Sequence, residues 1–174
     1  PGERPLDRAE AKRGEAMSQV ALGRDPNGRA RDIGAAPGGW TKVLAERVAE
    51  VVAVDPAELD ERVLQLPAVR HIRERSETLK QMPDIGLFDI ITNDMNMDPD
   101  RSADVVCDLA DLLRPGGFIV MTVKYVTARR SAHIQEALEH LSRSFPDLPV
   151  ARVPHNALEP TLVGRKPGCR RPPC

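Results

Sequence analysis

The chain has 174 residues and a mass of 19.1 kDa, which suits one domain and leaves no room for a second of ordinary size. With 41% hydrophobic and 29% charged residues it is neither a disordered tail nor a membrane protein, and no apolar run approaches the roughly 18 residues of a spanning helix. Twenty-five Lys and Arg against 26 Asp and Glu exclude a uniformly basic nucleic-acid binder but allow a local basic face, and 3% aromatics argue against a base-stacking sheet.

In chain order, the stretch Pro1-Gly2-Glu3-Arg4 lacks the apolar core of a signal peptide. Without an initiator methionine it reads as the interior of a longer or processed chain. Asp7 is placed to cap a helix running to about Leu22, stopped by Gly23 and Pro26. A short strand over Ala30–Gly34 leads into Gly34-Ala35-Ala36-Pro37-Gly38-Gly39, and a helix over Gly39–Ala49 follows. The run Val51–Val54 reads as a second strand ending in Asp55, Val69–Arg73 as a third, and Leu87–Asn93 as a fourth ending at Asp94. Ser102–Leu113 predicts a helix with Val105, Leu109, Leu112 and Leu113 on one face, stopped by Arg114-Pro115-Gly116-Gly117. Phe118–Val123 is a fifth strand ending at Lys124, and Ser131–Phe145 another helix. Short strands over Val150–Pro154 and Glu159–Gly164 follow, and residues 167–174 form a basic, flexible tail.

Strands separated by helices imply a parallel sheet covered on both faces. The last two strands are too close for a crossover helix and are expected to form an antiparallel hairpin. The expected architecture over residues 1–166 is α/β: a Rossmann-like, doubly wound, mostly parallel seven-stranded sheet with an antiparallel last strand. Ligands in such sheets bind beyond the carboxyl ends of the strands. The three cysteines, Cys107, Cys169 and Cys174, are too few for a disulfide scaffold or a four-cysteine zinc site. A reducing, cytoplasmic setting without a metal requirement is expected.

Asp32-Ile33-Gly34-Ala35-Ala36-Pro37-Gly38-Gly39-Trp40 lies where the first strand turns into a helix. Glycines there allow close backbone approach to a ligand, and a helix start offers free N–H groups. Ala36 stands where the dinucleotide fingerprint needs its second glycine, which weakens a nicotinamide cofactor. The loop instead resembles that of S-adenosylmethionine-dependent methyltransferases. That resemblance puts Asp32 near the charged amino-acid portion of the cofactor and Gly34 where room is needed. Ala35, Pro37, Gly38, Gly39, Trp40 and Asp94 complete the cofactor set, and Asp55 is placed to accept hydrogen bonds from both ribose hydroxyls.

Asp94 and Lys124 each terminate a parallel strand, and Glu159 opens the antiparallel one, so all three are expected at the cofactor edge. Lys12 belongs to the preceding helix, which can close over that edge. At this point the chain resembles the FtsJ-like 2′-O-ribose methyltransferases of ribosomal RNA, over about residues 8 to 166. The likeness rests on Arg8-Ala9-Glu10-Ala11-Lys12, the loop Asp32–Trp40, Asp94-Met95, the spacing from Gly116-Gly117 to Lys124, and a Glu shortly before Gly164-Arg165-Lys166. It implies the class I methyltransferase fold, S-adenosylmethionine as cofactor, an RNA partner, and a catalytic tetrad of Lys12, Asp94, Lys124 and Glu159. The segments around Lys12 and Glu159 are also similar to a large-subunit ribosomal RNA cytidine 2′-O-methyltransferase of the same superfamily.

The chemistry explains these residue types. A ribose hydroxyl is a poor nucleophile until its proton is removed, and a lysine removes it only when neutral. A second ammonium such as Lys12 favours the neutral form, and Asp94 holds the amine in place. Arg4, Arg8 and Lys12, with Arg29, Arg31, Arg129, Arg130, Arg165, Lys166, Arg170 and Arg171, suggest a basic rim for phosphates. Two positions depart from the family pattern. Arg31 occupies an apolar strand position, which predicts a short or partly exposed strand, and Arg75 stands where relatives place an Asp near the adenine. Met95 and Met97 are candidates to line the cleft. Two other readings stay open: a methyltransferase for a small molecule or protein, and a degenerate cofactor- or RNA-binding module. A monomer is favoured, without membrane contact.

Overall fold

The protein is described by a computed structural model over residues 25–76, 78, 86–124, 130–145 and 161–168. Among these residues six strands form one sheet: β1 (Asp25–Ile33), β2 (Val48–Val54), β3 (Val69–Ile72), β4 (Phe88–Asn93), β5 (Leu113–Thr122) and β6 (Thr161–Arg165). Their order is β3-β2-β1-β4-β5-β6, parallel throughout except for the antiparallel β5–β6 pair. Among the described residues four α-helices pack around it: α1 (Gly39–Ala45), α2 (Glu61–Leu64), α3 (Pro99–Asp108) and α4 (Arg130–Ser144).

The central strands are buried on both faces, so they need apolar residues in succession rather than in alternation. Val51, Val52, Ala53 and Val54 meet this need, as do Ile119, Val120 and Met121, all at most 2% exposed. One face of the sheet packs Val52, Ile91, Ile119 and Met121 against Ala103 and Val106 of α3 and Ala137 and Leu141 of α4. The other packs Ala30, Val51, Ile90 and Val120 against Trp40, Val43 and Leu44 of α1. Because β1 pairs with β2 on one side and β4 on the other, the winding reverses between β1 and β4. A crevice opens at such a reversal, beyond the strands' carboxyl ends.

Several boundaries differ from those read off the sequence. The helix expected to reach Ala49 ends at Ala45, because Val48 and Ala49 already belong to β2. The helix expected from Ser102 begins at Pro99, where proline's missing N–H costs nothing, and ends at Asp108 before a single 3-10 turn. Strand β5 starts at Leu113, so Arg114-Pro115-Gly116-Gly117 is part of the strand rather than a turn. Gly116 has φ +81, and a Cβ on Gly117 would sit 2.9 Å from the carbonyl oxygens of both Arg114 and Asp89.

The last strand pairs directly with β5, Thr122 opposite Thr161 and Phe118 opposite Arg165. The expected seventh strand at Val150–Pro154, the helix ending at Leu22, and residues 169–174 lie outside the described residues. Strand β1 is neither short nor partly exposed at Arg31. It runs for nine residues, and Arg31 is 0% exposed with its guanidinium carbon 4.5 Å from the centre of the Phe88 ring.

Candidate active site

The carboxyl ends of β1, β2 and β4 enclose a cleft of ≈ 310 Å³, at the lower end of the roughly 300–1,000 Å³ range of small-molecule pockets. Ile33, Gly34 and Ala36 form one wall, Val54, Asp55 and Pro56 a second, and Asp94, Met95, Asn96 and Met97 a third, with Ser76 at the β3 side.

Gly34 is required by close packing. Its φ is +69, and a Cβ there would come within 2.8 Å of the backbone nitrogen and Cγ of Met95. The N–H groups of Gly34 and Ala35 both point to the Val54 carbonyl, and Asp94 N–H donates to the Ile33 carbonyl at 3.0 Å, so the three strand ends are stitched together at the cleft. Asp55 Oδ2 accepts from Ala36 N–H at 3.1 Å and Oδ1 from Ala57 N–H at 2.8 Å. A carboxylate offers about four acceptor sites, so capacity remains for ligand hydroxyls.

Lys124 Nζ lies 3.1 Å from Asp94 Oδ1, with the two side chains 18% and 12% exposed. Residues at the ends of adjacent strands thus meet although 30 positions separate them. The loop after Asp94 is set by Asn93, whose amide donates to the Ser102 carbonyl and hydroxyl and whose Oδ1 accepts from Met95 N–H.

The sequence model of the FtsJ-like methyltransferases matches residues 6–151, well over half of the chain. The chain belongs to the FtsJ-like methyltransferase family. It is 36% identical over 123 residues to an uncharacterized protein of Methanocaldococcus jannaschii, covering 70% of this chain and 34% of that protein. It is 30% identical over 115 residues to the ribosomal RNA large subunit methyltransferase M of Alteromonas mediterranea, covering 66% of this chain and 31% of that one. The chain therefore spans about a third of the length of these relatives. The crystal structure of a fibrillarin/Nop5p complex superimposes with a TM-score of 0.72 at 17% identity, covering 95% of this chain and 88% of that one, and shares the fold.

S-adenosylmethionine is the methyl donor of FtsJ-like enzymes, and the cleft fits it in two respects. The Cβ-free Gly34 brings backbone to the cleft wall, and the Asp55 carboxylate stands at the end of β2 with acceptor capacity to spare. Of the FtsJ-like cofactor set, the structure gathers Gly34, Asp55 and Asp94 around the cleft. Ala35, Gly39 and Trp40 are buried, Trp40 within the α1 core cluster, and Pro37 and Gly38 stand away from the cleft walls. Asp32 is 0% exposed and bonded to two threonine hydroxyls rather than lining the cleft. Met95 and Met97 line it, as do Ala36, Pro56, Ser76 and Asn96, small or neutral residues with no chemistry to mark them in a sequence. Arg75 is exposed, and its neighbour Ser76 is the one facing the cleft.

Lys12 and Glu159 lie outside the described residues, as do Arg4, Arg8, Arg129, Arg170 and Arg171. Four members of the expected basic rim lie elsewhere. Arg31 is buried in the sheet, and Arg29 pairs with Glu50 at 2.6 Å. Arg165 ends β6 and Lys166 follows it, and because that strand is antiparallel they lie at the edge opposite the cleft. Arg165 stacks over Phe118, and Lys166 Nζ donates to the carbonyls of Ala110 and Leu113. Among the described residues no cluster of three or more metal-binding side chains occurs, and no helix is long and apolar enough to cross a membrane.

Proposed function

We propose that the chain is the catalytic domain of an RNA 2′-O-ribose methyltransferase acting on ribosomal RNA. The observation that carries this reading is the contact of Lys124 with the cleft-lining Asp94, the two residues to which the family resemblance gives the Lys and Asp roles. A methyltransferase for an already nucleophilic acceptor needs no such pair. The name of the Alteromonas mediterranea relative supports a ribosomal RNA acceptor.

When bound, S-adenosylmethionine supplies an electrophilic methyl group on a sulfonium. Gly34 and Asp55 hold the cofactor, Asp55 by accepting from ribose hydroxyls. Lys124 Nζ, in its neutral form, takes the proton of the acceptor 2′-hydroxyl, and Asp94 fixes where that nitrogen stands. Lys12 discourages a second positive charge on the lysine pair, and Glu159 orients Lys12 or the acceptor hydroxyl.

The test is methyl transfer from labelled cofactor to unmodified ribosomal RNA, followed by nuclease digestion and identification of the methylated nucleoside. A ribose-methylated product is expected, and Lys124→Ala should lower the rate by about 10²–10⁴-fold with S-adenosylhomocysteine binding retained. A base-methylated product, or transfer only to non-RNA acceptors, would refute the 2′-O reading. Cofactor binding without any transfer would favour a binding module.

A further inference from the structure

Asp32 is the penultimate residue of β1, and its carboxylate bridges two elements that build the cleft. Oδ2 accepts from the Thr41 hydroxyl at 2.7 Å, and Oδ1 accepts from the Thr92 hydroxyl at 2.7 Å. All three residues are 0% exposed. Thr92 is the direct register partner of Asp32 across the β1–β4 ladder, and Thr41 lies one turn into α1. Each bond closes a different wall. The Asp32–Thr41 bond is a chord across Ile33–Trp40, the segment that carries Gly34 and Ala36 to the cleft. The Asp32–Thr92 bond holds β4 two residues before Asp94. Burying a carboxylate is costly unless donors meet it, and both hydroxyls contribute to meeting it here.

We propose that Asp32 is a positioning residue: through Thr41 it sets the cofactor loop, through Thr92 it sets Asp94, and it does not itself touch the cofactor. This departs from the role the family resemblance gives an acid at this place, a neighbour of the cofactor's charged amino-acid portion. It rests on the placement of S-adenosylmethionine in the cleft proposed above. The two hydroxyls divide the labour. Loss of the Thr41 hydroxyl loosens the loop and weakens ligand binding. Loss of the Thr92 hydroxyl displaces Asp94, and with it Lys124, so it slows transfer more than it weakens ligand binding.

The experiment is a binding cycle by titration calorimetry, well below each variant's melting temperature. Its probes are S-adenosylhomocysteine and 5′-methylthioadenosine, which shares the adenosine and thioether but lacks the amino-acid portion. Asp32→Asn should weaken both by the same factor, roughly tenfold, and Thr41→Val should weaken both by a few-fold. Thr92→Val should weaken both less than Thr41→Val does while lowering the transfer rate at saturating cofactor about tenfold, and Thr92→Ser should restore that rate. A loss confined to S-adenosylhomocysteine in Asp32→Asn would show direct contact with the amino-acid portion and overturn the proposal. Unchanged binding of both probes by Asp32→Asn would overturn it equally. If Asp32→Asn does not fold, the two threonine variants carry the test, and identical effects from both would refute the division. Failure of the unaltered protein to bind either probe would instead refute the cofactor placement.

Discussion

Two ion pairs bridge strands β4 and β5, one at each end of the ladder. At the amino end, Arg114 Nη1 stands 3.0 Å from both oxygens of Asp89, which also accepts the Arg29 N–H at 2.8 Å. At the carboxyl end, Lys124 Nζ stands 3.1 Å from Asp94. The distances are alike, but the chemistry is not. A guanidinium stays protonated at any working pH and suits a pair whose task is to close a sheet edge. An ammonium can lose its proton, and this one pairs with a carboxylate that lines the cleft, with 18% of its side chain exposed against 42% for Arg114. The same strand pair thus ends in a structural lock on one side and, in the proposed reaction, in a proton acceptor on the other.

The sharpest way to break this comparison is to exchange the cations. Lys124→Arg keeps the charge and can keep the pair with Asp94, but it cannot accept a proton. Methyl transfer should fall about 10²–10⁴-fold while S-adenosylhomocysteine affinity changes little. A variant that still transferred at near-native rate would remove Lys124 from the proton-accepting role. Gly34→Ala comes next. Its Cβ would lie 2.8–2.9 Å from backbone atoms of Met95, which cannot swing aside, at a φ of +69 that costs a non-glycine residue about 1–3 kcal/mol. A lower melting temperature and at least about a tenfold loss of S-adenosylhomocysteine affinity are expected. Unchanged calorimetric binding would show that the loop opens freely at this point.

Much of this was legible in the sequence, for a definable reason. Parallel strands buried on both faces leave apolar runs that end abruptly, and the residue after each run marks the carboxyl edge. Asp55, Asp94 and Lys124 were found in that way, and Gly34 by its place in the loop. Direction was not legible. A carboxylate near a strand end points to one face or the other of the pleat, and Asp32 points under α1 rather than into the cleft. Pairing between distant segments was also hidden. Strand β6 is bonded to β5, some 40 residues earlier, while the strand expected to form a hairpin with it, Val150–Pro154, lies outside the described residues. The Pro-Gly-Gly of β5 suggested a turn because a bulged strand start and a turn use the same residues.

Arg31 is the interior counterpart of the two ion pairs, a cation without a carboxylate partner among the described residues. Its three guanidinium nitrogens have no hydrogen-bond partner among the described residues, and stacking on Phe88 is its visible compensation. Desolvation, with a smaller contribution from the neighbouring charge of Arg29, lowers its pKa from the ordinary guanidinium range to about 10. Replacing it by the similarly long, apolar methionine should stabilise the fold by about 1–4 kcal/mol, measured by urea unfolding. The sign of the pH dependence follows from the shift. Above about pH 10 the unfolded chain holds the proton that the folded chain has lost, so the unaltered protein gains stability relative to Arg31→Met as pH rises. The advantage of Arg31→Met should be constant over neutral pH and shrink above about pH 10. A destabilised Arg31→Met would mean that the cation–π contact outweighs the desolvation.

The smallest expected effect belongs to the amino-end pair. Arg114 is 42% exposed and Asp89 28%, so water and salt screen their attraction, and exposed pairs of this kind contribute about 0–1 kcal/mol. Arg114→Lys keeps the charge and loses only the guanidinium geometry, so its unfolding midpoint should fall little and its methyl transfer not at all. Asp89→Asn should cost somewhat more, because Asp89 also receives the Arg29 N–H at the start of the β1 ladder. The informative quantity is transfer rate rather than stability. If Arg114→Lys slowed transfer several-fold, strain at one end of β4–β5 would be reaching Asp94 and Lys124 through the ladder. The two pairs would then be parts of one mechanical unit, not separate devices at opposite edges.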